Sequence, residues 1–347
     1  MATSSNRFVA ILMGVGAVAL GACTSKGGDS AAPAATADGA YKTPRTSWGD
    51  PDLQGIWPGT AMVGVPMQRD PKLGERNWLT EEEFQAREAQ FAKQEEQDNA
   101  DFDLAHAAET PGGDVGGPVS PPPHWLERGK PQYQASLIVD PPNGRTPPMT
   151  EAATQRQAAL RKEREGRGPS DSYTDRSLYD RCITRALVGS LTPAIYNAGN
   201  EIVQSPGYVV IRNEMIHEAR VVPLDGRPHV GGDIKQWLGD SRGHWDGDTL
   251  VVETTNFTDR TNVGGARHSD ALKVTERYTR VDAGTLELKI TIDDPQTWTR
   301  PYTLSLPLQR DDGYGMYEYA CHEGNLAMFN ILSGARADER AAASKPR

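Results

Sequence analysis

Four ionisable side chains, His217, Arg220, His229 and His322, fall at the ends of strand-like runs or in the turns beside them. Distant segments of a small β-domain converge at such places. Imidazole changes charge near neutral pH and so can carry protons in acid–base catalysis. An arginine beside it can hold a developing oxyanion. If His217-Glu218-Ala219-Arg220 is extended, His217 and Ala219 share one face and Glu218 and Arg220 the other. The pattern predicts His217 and His229 as acid and base, Arg220 as the oxyanion holder, and His322 in the same catalytic group. A hydrogen-bonded structural role is the plain alternative for each histidine.

The expected substrate contacts are Asp180, Arg181, Trp237, Asn256 and Asn325. Asp180-Arg181 is either a structural clasp or a clamp for a substrate carboxylate, because a guanidinium matches that group in two-pronged fashion. Trp237, Trp245 and Trp298 suit an aromatic-lined lumen, although each such residue is more often plain core. Gly239-Asp240-Ser241-Arg242-Gly243 matches the Gly-x-Ser-x-Gly nucleophile elbow literally. That elbow needs a helix after it, whereas here a turn and a strand follow, so Ser241 is expected to cap a turn. Seven His are present without His-Glu-x-x-His or Cys-x-x-Cys spacing, so no metal site is predicted. A His-ligated divalent ion stays open. Phosphate-loop, dinucleotide and haem signatures are missing as well. The simplest catalytic reading is therefore cofactor-independent.

The chain of 347 residues carries 37 Lys and Arg against 47 Asp and Glu, a formal charge of −10, which argues against nucleic acid as a partner. Mean hydropathy is −0.60. With 35 Gly and 25 Pro, much of the backbone must be turn and loop.

Phe8 to Leu20 is an apolar run after a single cation, Arg7, too short to span a bilayer and suited to a signal peptide. It ends in Leu20-Gly21-Ala22-Cys23, which resembles the bacterial lipobox. An ordinary secretory cleavage site is the alternative. The lipobox resemblance implies that residues 1–22 are removed and that Cys23 carries lipid. Thr24 after the cysteine resembles outer-membrane sorting. The expected place is thus the periplasmic or cell-surface side of a bacterial outer membrane, with the membrane as partner through the anchor. In that oxidising compartment Cys182 and Cys321 are expected to be bridged, two buried free thiols being the alternative.

Residues 23–47 read as a disordered tether. Residues 48–175 read as an extended, partly helical wrapping region. One helix is capped by Thr80 and Glu83, with Glu83→Arg87 as an i,i+4 pair, and runs to about Gln97; a second runs from Thr150 to Arg164. From Glu201 the periodicity becomes two, in runs at 208–211, 219–222, 249–253, 272–279, 286–290, 302–308 and 316–321. Turn signals separate them, Asp225-Gly226 and Asp246-Gly247 among them. The fold class is therefore mainly β: an antiparallel, lipocalin-like barrel or a sandwich over 176–336, with a disordered tail at 337–347.

Asp140-Pro141-Pro142-Asn143-Gly144-Arg145, Asp180-Arg181-Cys182, the run from Trp237 to Phe257 and Tyr319-Ala320-Cys321-His322-Glu323-Gly324-Asn325 resemble a large family of secreted bacterial proteins and lipoproteins. The likeness covers roughly residues 48–336 and implies no activity. The Asp-Gly-Asp hairpin and the Glu-Arg-Tyr-Thr-Arg run also resemble lipocalin-type barrels, which implies a small apolar or amphipathic ligand. The expected protein is a lipid-anchored lyase, isomerase or hydrolase acting on a small aromatic or amphipathic substrate. Its alternative is a non-catalytic ligand-binding lipoprotein.

Overall fold

The computed structural model describes residues 41–98 and 126–344. The segment read as a signal peptide, Cys23 and most of the segment read as a tether lie outside the described residues, as do His106 and His124.

Strands form where side chains alternate between core and solvent. In the four-stranded sheet, β1 (Gly55–Ile56), β3 (Asn200–Ser205), β4 (Tyr208–Asn213) and β5 (Ala219–Pro223) lie in the order β1-β3-β4-β5. The larger sheet has the order β2-β12-β11-β10-β7-β6, from β2 (Ile138–Asp140), β6 (Asp240–Asp246), β7 (Thr249–Thr255), β10 (Lys273–Arg280), β11 (Thr285–Asp293) and β12 (Tyr302–Gln309). A small ribbon pairs β8 (Asn262–Val263) with β9 (Ala266–Arg267). Every ladder is antiparallel. The two main sheets stay open, so the sandwich alternative applies, and no closed lipocalin-like barrel forms among the described residues.

Between the sheets lies one core. Ile202, Val209, Ile211 and Val222 from the smaller sheet meet Leu250, Val252, Leu288, Ile290, Leu304 and Leu306 from the larger. Leu288 is fully buried, and its truncation to Ala would cost about 2–5 kcal/mol in transfer and cavity energy. The region before residue 176 contributes β1, β2 and the buried Leu53, Trp57, Met62 and Ile138 to this core.

Turn chemistry closes the hairpins. Gly247, at φ +60°, supplies the left-handed residue between β6 and β7. Asp225-Gly226 closes no hairpin: β5 ends at Pro223, and β6 starts only at Asp240. Residues 316–321 form no strand, because their anchors are not a ladder. The Tyr317 N–H donates to the Glu214 carboxylate, and Cys321 is bridged to Cys182.

Helix α1 (Glu81–Asp98) opens with the expected box: Glu83 N–H donates to Thr80 Oγ1 and Thr80 N–H to Glu83 Oε2. The expected Glu83–Arg87 pair does not form. Arg76 takes Glu83 at 2.7 and 3.0 Å and, with the Thr80 N–H, lowers the carboxyl pKa to about 2. Arg87 instead donates to the carbonyls of Gln132 and Gln134. Thr150 caps α2 (Glu151–Glu163). A short α3 (Leu187–Leu191) follows, and α4 (Leu326–Ala343) is helical across most of the segment read as a disordered tail.

Asp140–Arg145 is a structural loop. Gly144, at φ +64°, lies so close to the buried Arg69 that a Cβ would meet its guanidinium at 2.7 Å. Arg69 in turn donates to the Pro142 carbonyl at 2.6 Å.

The Cys182–Cys321 bridge closes a loop of 139 residue steps and pins the segment before α4 to the body. Denatured, unreduced protein should yield no thiol from this pair, and reduction should release two. Finding both thiols free before reduction would contradict the bridge.

Candidate functional site

The turn from Glu214 to Glu218 joins β4 to β5 and is strained. Ile216 and His217 both have left-handed backbones, at φ 57° and 43°. Such a conformation is costly for a β-branched residue, on the order of 1–3 kcal/mol, and persists only where the surroundings enforce it. Glu214 is the enforcer. Its buried carboxylate accepts from Tyr314 Oη at 2.7 Å, Asn197 Nδ2 at 2.9 Å, Tyr317 N at 3.1 Å and Gly199 N at 3.3 Å. Its carbonyl accepts the His217 N–H at 2.8 Å. Because residues 215–217 form a tight turn, the extended pattern expected for 217–220 begins only at Ala219.

The strain carries His217 into a cleft of about 660 Å³. His217 is exposed, and its Nδ1 lies 2.9 Å from the Tyr319 carbonyl oxygen. A carbonyl only accepts, so Nδ1 holds the proton and neutral His217 keeps its lone pair on Nε2. His322 lies in the same cleft beside Cys182. Trp237, Lys235 and Asp240 line its other side. Trp237 and Lys235 also line a neighbouring hollow that continues to Arg260 and Arg267.

His229 is one hydrogen bond behind this cleft. Its Nδ1 donates to Asp240 Oδ2 at 2.9 Å, and Asp240 also accepts from Val230 N–H and Arg242. Burial works against the Asp240 charge. The Val230 N–H, His229 and Arg242 outweigh it and hold the carboxyl below its usual range. Asp and His thus form an oriented pair. His229 itself does not line the cleft as the expected acid–base partner of His217 would.

Arg220 lines the same cleft, but its guanidinium is already committed inside the protein. It is 6% exposed and gives both terminal nitrogens to the fully buried Glu276 at 2.7 Å. Burial disfavours its charge, but the Glu276 carboxylate beside it raises its pKa above the ordinary arginine value. Tyr278 Oη donates to the same carboxylate at 2.5 Å, completing an internal triad. Ser241 is inside β6, not at a turn, and its hydroxyl pairs with Thr254 at 2.9 Å.

Three expected substrate contacts are consumed by the fold. Asn256, at φ 60°, donates its amide to the carbonyls of Val230, Gly231 and Ile234. Asn325 caps α4 through Met328 N–H and donates to the Asp180 carbonyl. Asp180 pairs with Arg176 at 3.1 Å, so no Asp180–Arg181 clasp exists. Arg181 instead stacks over the Tyr173 ring in a different cleft. Of the three tryptophans, only Trp237 lines the cleft with His217; Trp298 is core, edge-on to Tyr302. Sequence reasoning missed Glu214 and Lys235. Lys235 had no motif around it, and the importance of Glu214 depends on partners 15 to 103 residues away. Among the described residues no three His, Cys, Asp or Glu side chains gather as a metal-ligand set.

Two outcomes are expected. Arg220→Met should lower stability by about 3–5 kcal/mol, because Glu276 is left buried and unpaired, and Arg220→Met/Glu276→Leu/Tyr278→Phe should regain most of it. A wild-type melting temperature for Arg220→Met would contradict the structural role. Long-range ¹⁵N NMR of neutral His217 should find its proton on Nδ1; an Nε2–H form would break the orientation deduced above.

No protein-family model, no curated protein and no solved structure matches this chain, so its own cleft carries the functional reading.

Proposed function

We propose that this protein is an enzyme that transfers protons on a small organic substrate, with His217 as the general base. The observation that carries the reading is the strained Ile216–His217 turn, maintained by Glu214 and opening into a cleft. Stored backbone strain beside an exposed, tautomer-fixed imidazole is costly for a merely structural histidine. Nε2 takes a proton from a carbon acid or from an attacking water, and the imidazolium returns it at a later step. The Lys235 ammonium, along the same cleft and only loosely paired with Asp270 at 3.7 Å, adds positive potential that favours negative charge developing on the substrate. The Trp237 ring offers an apolar face for an aromatic or amphipathic body, and His322 is the second histidine along the cleft. Proton transfer of this kind serves lyase, isomerase and hydrolase reactions alike.

The enzyme is proposed to work at a membrane surface, lipid-anchored through Cys23 at the bacterial outer membrane. The lipobox-like Leu20-Gly21-Ala22-Cys23 supports this.

Incubation with a panel of small esters, lactones and enolisable carbonyl compounds, followed by mass spectrometry, should reveal turnover. His217→Gln should lower it about 10²–10⁴-fold with an almost unchanged melting temperature. Turnover retained in that variant would remove His217 from the chemistry. Binding without turnover across the panel would favour a ligand-binding lipoprotein.

Cys23→Ser should move the protein from membrane to soluble fractions. Unchanged fractionation would contradict the anchor.

A further inference from the structure

On a chain whose formal charge is −10, one cleft is strongly basic. It has a volume of about 610 Å³, and its charged lining comprises seven arginines and a single acid, Glu163. Three separate segments supply the arginines: α2, the loop before α3, and the loop around β8 and β9. Like charges converging from distant parts of a chain repel one another, so such a cluster is unfavourable unless counter-charges neutralise it.

The protein supplies those counter-charges only in part. Arg176 pairs with Asp180 at 3.1 Å, while Arg164 and Arg267 lie within 3.8 Å of Asp175 and 3.7 Å of Asp259. Arg161, Arg181, Arg185 and Arg260 have no carboxylate partner among the described residues, Arg181 making only its ring contact with Tyr173. The Nε of Arg176 is buried with no hydrogen-bond acceptor. The loop that carries Arg181 and Arg185 is itself held in an uncommon shape. Cys182 and Ala186 have φ of 54° and 64°, and Cys182 is tied down by the disulfide. A strained and cross-linked loop thus presents two unneutralised guanidinium groups to a cavity. Leu160, Leu178 and Tyr179 add an apolar wall.

We propose that this cleft binds a small organic polyanion, phosphorylated or polycarboxylated, through Arg161, Arg181, Arg185 and Arg260. Guanidinium forks match the paired oxygens of phosphate and carboxylate, and a concave site strengthens the attraction over that at an open surface. The Leu160 and Tyr179 wall accommodates an apolar portion of the ligand. The inference is independent of proton transfer at His217, because it concerns a different cleft and is read by binding alone.

Isothermal titration calorimetry on the full chain in detergent tests it, with pyrophosphate and tricarballylate as the two probes. At low salt at least one probe should bind, and the affinity should fall as salt rises. Whichever binds more tightly identifies the phosphate or the carboxylate class. Arg161→Gln/Arg260→Gln removes two groups that hold no carboxylate in the protein, so it should leave the melting temperature unchanged and weaken binding about tenfold or more. Lys42→Gln, a surface cation outside the cleft, should bind as the wild type does. Absence of binding by both probes at millimolar concentration would overturn the proposal. So would equal affinity in the double arginine variant, which would place the anion elsewhere.

Discussion

Arg220 and Glu276 meet in the interior between the two sheets, and the arrangement of the sandwich depends on that meeting. Arg220 projects inward from β5, an edge strand of the smaller sheet; Glu276 projects inward from β10, within the larger one. A charge left alone at either position would be prohibitively costly, so the sheets must face each other in the register that brings the fork onto the carboxylate. Leu and Val side chains around the pair supply most of the burial energy but tolerate sliding. A two-pronged ion pair, with the Tyr278 hydroxyl on the same carboxylate, does not.

Glu214 plays the corresponding part at the rim. It too is a buried carboxylate, but its partners are backbone amides, an asparagine and a tyrosine rather than a cation. Those donors come from the residues just before β3 and from the segment after β12. Glu214 therefore draws the segment after β12 onto the β4–β5 turn, and the disulfide secures the same segment a few residues later. The consequence is local. Tyr319 presents its carbonyl to His217, and His322 enters the cleft. Packing, strain and tautomer are thus linked from the Glu214 carboxylate to the imidazole Nε2.

The same disulfide loop separates two kinds of cleft. On one side Cys182 and Ile183 line the histidine cleft; on the other Arg181 and Thr184 line the arginine cleft. One short segment with a left-handed cysteine thereby serves a titratable surface and a cationic one.

Much of this was legible in the chain itself. Alternation of period two set β4, β5, β7 and β10 to β12, because a half-buried strand must bury every second side chain. Thr80 with Glu83, and Thr150, marked two helix starts, since an exposed amide end needs a nearby acceptor. The pairing of Cys182 with Cys321 was also readable. Tertiary structure alone decided which polar groups remain free. Arg220, Asn256 and Asn325 have the residue types of a binding site, yet each is spent on a partner far along the chain or on a loop's carbonyls. The strand expected at 316–321 failed for the same reason: its donor met a carboxylate rather than a neighbouring strand. Local patterns are short-range properties of the backbone and can be read one segment at a time. Whether a charged or amide side chain is satisfied depends on what the folded chain brings within 3 Å of it, and no local spacing contains that distance.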